Sequence, residues 1–130
     1  MNSGIAKSIK EKWPIVYQEY MMKYFNSLPE LLHGGIQIVN ISTNEHAQHV
    51  INMYSQFNYG YDGKRYTSYD AFWNCLHLIK EAVPEGSKIG FPGFIGCVRG
   101  GANWNIIYEM IKEVLEKDYE VYIYFLEEPK

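Results

Sequence analysis

The stretch Phe91-Pro92-Gly93-Phe94-Ile95-Gly96-Cys97-Val98-Arg99-Gly100-Gly101 decides how the chain is read. It overlaps a short apolar run, Lys88-Ile89-Gly90-Phe91-Pro92, that reads as a buried strand. It precedes residues 102–117, where Trp104, Ile107, Tyr108, Ile111 and Leu115 recur at helical spacing. Glycines in such a loop let the backbone take positive φ and come close to another group. The helix beyond it directs amide hydrogens and the positive end of its dipole at the loop. Gly93, Gly96, Gly100 and Gly101 therefore fit a cradle for phosphate. They fit equally well a turn that packs a helix tightly on a sheet. The spacing is neither a Walker loop, which needs Gly-Lys-Ser/Thr, nor the GxGxxG of dinucleotide-binding folds.

Outward from this segment, strands and helices alternate. On the C-terminal side, residues 119–126 (Tyr-Glu-Val-Tyr-Ile-Tyr-Phe-Leu) form a last strand. On the N-terminal side, residues 68–83 predict a helix with Ser68 as N-cap and Pro84-Glu85-Gly86 as its stop. Tyr69, Phe72, Trp73, Leu76, Ile79 and Val83 make its apolar face. Residues 36–41 and 49–54 read as two short strands. Residues 5–25 read as helical, with a break or a new first turn at Pro14. The order helix, strand, strand, helix, strand, helix, strand predicts an α/β fold with a mainly parallel sheet covered on both faces. Ligands of such sheets bind at the carboxyl ends of the strands.

Composition sets outer limits. A chain of 130 residues with 47% hydrophobic and 21% charged residues has the size and make-up of one globular domain, spanning 1–130. A net charge of −3 makes nucleic acid an unlikely partner. No apolar run approaches the roughly 20 residues of a membrane span. Met1-Asn2-Ser3-Gly4-Ile5-Ala6-Lys7 turns charged too soon for a signal peptide. Two cysteines without a CxxC pair fit a reduced, cytoplasmic setting.

Other candidate residues are weaker. Asn2 to Ala6 fit either an anion site at a helix start or an ordinary N-cap. The aromatic stretch 54–69 fits either a wall for a flat base or ribose, or a loop folded on its own rings. Ser55 and Gln56 follow a strand end and would sit at the ligand end of the sheet. His33, His46, His49 and His77 show no metal-binding spacing, so no metal or other cofactor is expected. Cys97 reads as a small packing residue, with no histidine or carboxylate assigned beside it.

These residues together resemble a macro domain, close to the phage and bacterial branch that processes ADP-ribose-1''-phosphate. Asn2-Ser3-Gly4-Ile5-Ala6-Lys7, Lys12-Trp13-Pro14 and Tyr20 look like that family's glycine turn and first helix. Asn52-Met53-Tyr54-Ser55-Gln56, Tyr59-Gly60 and Arg65 to Ala71 are similar to phage and bacterial members. Phe91 to Cys97 with Gly100, Gly101 and Trp104 is similar to the phosphate loop, and Val121 to Leu126 to the terminal strand.

The resemblance implies a three-layer α/β/α fold with a mixed, mainly parallel sheet. It implies a pocket for ADP-ribose or a phosphorylated derivative. Asn2, Ser3, Gly4, Ile5 and Ala6 would hold the diphosphate and distal ribose. So would Pro92, Gly93, Phe94, Ile95, Gly96, Cys97, Val98, Arg99, Gly100 and Gly101. Ser55 and Gln56 would line the pocket near that ribose, and Tyr124 or Phe125 would pack against adenine. The implied activity is phosphatase action on ADP-ribose-1''-phosphate; a non-catalytic binder or sequestering protein is the alternative. Val98 and Arg99 replace smaller or apolar residues, and Arg99 fits either a phosphate contact or a solvent-facing role. Where a protein-deglycosylating branch uses an aspartate stands Gly100, and no lysine lies near Ser55 and Gln56. The family's first two strands have no counterpart here, which makes the fold N-terminally shortened. Unpaired sheet edges, and self-association through them, are expected.

Overall fold

The computed structural model describes residues 4–25, 34–42, 48–55, 68–97 and 101–125. Its elements are α1 (Gly4–Lys12), α2 (Pro14–Phe25), β1 (Ile36–Asn40), β2 (His49–Met53), α3 (Tyr69–Ala82), β3 (Lys88–Pro92), α4 (Trp104–Leu115) and β4 (Glu120–Tyr124).

Local chemistry explains the boundaries. Pro14 lacks an amide hydrogen, so it ends α1 and opens α2. Trp13 bridges the break: its amide reaches the Ile9 carbonyl at 2.8 Å, and its own carbonyl accepts from Val16 at 2.9 Å. Ser68 caps α3 by accepting from the Ala71 amide at 3.2 Å, as its place before an apolar run predicts. The chain leaves α3 at Val83 and turns at Gly86, whose φ of +87° is easily reached only without a Cβ. The Tyr119 hydroxyl lies between the carbonyls of Lys80 (2.9 Å) and Val83 (2.7 Å), fastening the start of β4 to the end of α3.

The strands form two ladders, one of each kind. β1 and β2 pair antiparallel, with Ile38 opposite Ile51. β3 and β4 pair parallel, with Gly90 opposite Tyr122, and α4 is the crossover between them. Among the described residues no ladder joins the two pairs. The Ile41 amide bonds the Gln48 carbonyl at 3.0 Å and the Tyr54 amide bonds the Gly35 carbonyl at 2.9 Å. By antiparallel alternation, His49, Ile51 and Met53 therefore turn their backbone groups away from β1.

One core serves both ladders. Phe72, Leu76 and Ile79 of α3 meet Ile107, Ile111, Val114 and Leu115 of α4 over Ile89 and Phe91 of β3. Ile36, Ile51, Met53, Val121 and Ile123 pack against the same cluster. Trp73, expected on the apolar face of α3, is 38% exposed and stands edge-on to His77. Tyr108, expected to face the core, is also exposed; Val114 takes a buried place instead. Residues with helical spacing outnumber those that one contact line between two helices can bury. Among the described residues no helix is long and apolar enough to cross a membrane.

Candidate functional site

The carboxyl ends of β2, β3 and β4 are linked by a run of hydrogen bonds. The Ser55 carbonyl, just past β2, accepts from the Ser68 amide at 2.8 Å. Ser68 caps α3, and the next residue, Tyr69, accepts at its hydroxyl from the Asn103 amide at 2.9 Å. Asn103 caps α4, and the Ala102 amide donates to the Gly96 carbonyl at 3.1 Å. On the other side, the Gly93 amide donates to the Tyr124 carbonyl at 2.7 Å. The glycine loop is thus bonded directly to the end of β4, and to the end of β2 through Ala102, Asn103, Tyr69 and Ser68.

The loop itself turns sharply. Cys97 donates its amide to the Phe94 carbonyl at 2.9 Å, and Ile95 donates to Pro92 at 3.3 Å. Phe94, Gly96 and Gly101 hold φ values of +60°, +75° and +72°. Alternation of left- and right-handed backbone is how a loop gathers several amides on one concave side. Left-handed backbone suits glycine and is uncommon for a bulky residue such as Phe94.

The first turn of α4 was expected to offer its amides to the loop side. Instead the Asn103 side chain takes the Asn105 amide at 2.9 Å. The Asn103 carbonyl takes those of Ile106 and Ile107, each at 3.1 Å. Those three donors are engaged locally, as are the loop amides of Gly93, Ile95 and Cys97, so the dipole of α4 is the attraction this end offers an anion without breaking a bond.

Electrostatics makes Cys97 a packing group. Burial raises its thiol pKa, and its sulfur lies 3.4 Å from the Ile95 carbonyl. A raised thiol pKa means little thiolate at neutral pH, hence poor nucleophilicity. Among the described residues no three His, Cys, Asp or Glu side chains come together to hold a metal ion. A depression of about 490 Å³ lies elsewhere, on the outer surface of α3 and α4. Trp73, Ile106, Met110, Glu109 and Glu113 line it. Two glutamates make it unsuited to an anion.

This architecture has a solved counterpart. The macrodomain of Thermus aquaticus DarG superposes with a TM-score of 0.66 at 19% sequence identity, over 97% of this chain and 80% of that one. The chain has the macrodomain fold. No family model matches the sequence, and no curated protein matches it. A fifth of the DarG macrodomain has no counterpart here, in keeping with a macrodomain fold shorter than its neighbour.

The macrodomain fold brings together many of the expected site residues. Pro92 to Cys97 and Gly101 form the loop, Ser55 closes β2, and Tyr124 and Phe125 end β4. Gly4, Ile5 and Ala6 lie in the first turn of α1, whose main packing partner is α2. Asn2, Ser3, Gln56, Val98, Arg99 and Gly100 lie outside the described residues. Sequence reasoning missed Asn103 as a site-building residue and named Tyr69 only for its ring, in the aromatic stretch 54–69 and on the apolar face of α3. Asn103 carried a readable signal, a capping residue directly before an apolar helical run. Tyr69 looked like a core residue, and nothing in the sequence marks its hydroxyl.

Proposed function

We propose that the chain binds ADP-ribose or a phosphorylated derivative at the carboxyl ends of β2, β3 and β4, and acts as a phosphatase on ADP-ribose-1''-phosphate. The observation that supports this most is the left-handed backbone at Phe94, Gly96 and Gly101, in a loop bonded directly to the end of β4 and linked through Ala102, Asn103, Tyr69 and Ser68 to the end of β2. The loop would hold the phosphate-bearing end of the ligand. Ser55 and Gln56 would lie beside the distal ribose, and Asn2 to Ala6 would add backbone contacts. Val98, Arg99 and Gly100 would complete the loop. Tyr124, 64% exposed at the end of β4, supplies a ring for adenine.

In the phosphatase step a water oxygen bonds to phosphorus as the bond from phosphorus to the C1'' oxygen breaks. The water's proton leaves with that oxygen, giving ADP-ribose and inorganic phosphate. Oriented loop amides stabilise the negative charge that grows on the phosphoryl oxygens. The protein would act in the cytoplasm, where such ligands occur and both cysteines stay reduced.

One observation favours a second assignment, a binder that sequesters the ligand without turning it over. The described part of the loop, residues 92–97 and 101, carries no carboxylate or imidazole to move a proton. Incubation with ADP-ribose-1''-phosphate and assay of inorganic phosphate separates the two. Enzyme-dependent release that stops in Gly100→Glu supports the phosphatase. Tight binding without release leaves the binder.

A further inference from the structure

Three aromatic rings from three elements meet over the start of the glycine loop. Phe94 belongs to the loop, Trp104 begins α4, and Phe125 follows β4. The Phe94 and Phe125 centroids are 5.4 Å apart at 69°, and those of Trp104 and Phe125 are 6.0 Å apart at 83°. Phe94 and Trp104 close the triangle at 5.5 Å. Tilted and edge-to-face pairs at these distances are attractive beyond their area.

Phe125 does more than join the cluster. A Cβ on Gly93 would fall 2.2 Å from Phe125 Cδ1 and 2.4 Å from Cε1. The ring therefore rests on the Gly93 backbone, while the Gly93 amide is bonded to the Tyr124 carbonyl. The next residue, Phe94, holds the left-handed φ of +60° that a bulky L-residue avoids. Such backbone persists only where its surroundings over-determine it. Yet Phe94 is 50% exposed and Phe125 55%, so neither ring is simply core.

We propose that Phe125 is a positioning residue. Its ring, wedged on Gly93 and against Phe94 and Trp104, holds Phe94 left-handed. That fixes the turns in which the Ile95 and Cys97 amides bond the Pro92 and Phe94 carbonyls, and with them the shape of the loop, before a ligand arrives. The functional consequence rests on the assignment of this loop to ADP-ribose; the effect on the loop does not.

Two readouts keep these apart. Without ligand, amide exchange of Ile95 and Cys97 is compared in wild type, Phe125→Ala and Phe125→Tyr. Phe125→Ala should speed exchange at both amides at least tenfold and shift Trp104 emission, with Phe125→Tyr restoring both. The amides of α3 should stay unchanged, showing that the fold is intact. Calorimetry with ADP-ribose should then show at least tenfold weaker binding for Phe125→Ala. Gly93→Ala should lower affinity alone but add less than twofold in the Phe125→Ala background, because the ring it collides with is gone. Unchanged exchange at Ile95 and Cys97, even with weakened binding, overturns the proposal, since a ring that merely stacks on ligand would give that result. If wild type binds no ADP-ribose, the ligand assignment fails while the exchange result still decides the positioning role.

Discussion

Gly96 and Gly86 offer a controlled comparison between backbone strain and site function. Both hold left-handed φ, +75° and +87°. At Gly86 an added Cβ would meet nothing within 4 Å, so alanine there carries only the cost of the backbone conformation. That cost is about 1–2 kcal/mol for an L-residue. For a domain of this size it corresponds to a fall of about 4–8 °C in Tm. Gly96→Ala carries the same strain, and its carbonyl also accepts from the Ala102 amide at the foot of α4. Gly96→Ala should therefore lose at least as much stability as Gly86→Ala in urea unfolding. They should differ in calorimetry with ADP-ribose: Gly86→Ala should bind like wild type, and Gly96→Ala at least tenfold more weakly. The junction between Gly96 and Cys97 allows ligation of a peptide thioester to a fragment starting at Cys97. D-alanine at 96, which prefers positive φ, should then restore both stability and binding. Equal effects of L- and D-alanine would refute the left-handed loop. Equal binding by Gly86→Ala and Gly96→Ala would refute its role in the site.

Ser68→Ala removes the cap of α3 and should cost about 1 kcal/mol in urea unfolding. Burial pushes the Cys75 thiol up to about 11, and Cys75 is fully buried, whereas Cys97 is partly exposed. Iodoacetamide at pH 8 should therefore label Cys97 slowly and leave Cys75 untouched until the protein unfolds. Burial, with Tyr20 stacked on the ring, raises Tyr54 to about 12 from an ordinary 10.0. The folded state favours the neutral phenol, so its contribution is whole below pH 10 and is lost between pH 10 and 12; Tyr54→Phe should flatten that part of the stability curve. Among the described residues the edge of β2 away from β1 pairs with no strand and carries no charge and no proline, so copies are expected to associate by pairing it. Ile51→Pro removes an outward amide without breaking a β1–β2 bond, so it should lower the association seen in sedimentation equilibrium.

Much of the fold was legible because punctuation in the sequence is local. Pro14, Ser68 and Pro84 mark helix ends through missing amides and short polar side chains, and the structure places the ends there. Strand β3 falls at residues 88–92 as the apolar run indicates. Pairing was less legible, because it is settled between distant segments. The return from β1 to β2 makes one ladder antiparallel, while the crossover through α4 makes the other parallel. Trp73 illustrates the limit of periodicity: it repeats with the buried positions but lies beyond the contact line with α4. The site divides in the same way. The glycine spacing announces the loop, and left-handed angles at Gly96 and Gly101 agree with it. The hydroxyl of Tyr69 and the ring of Phe125 act across 34 and 32 residues of sequence to brace that loop. No local pattern encodes such contacts.

Isothermal titration of the full chain with ADP-ribose tests the central claim most directly. Saturable binding at one site per chain, abolished by Gly100→Glu, is the predicted result. No heat and no thermal shift at millimolar ADP-ribose would contradict it.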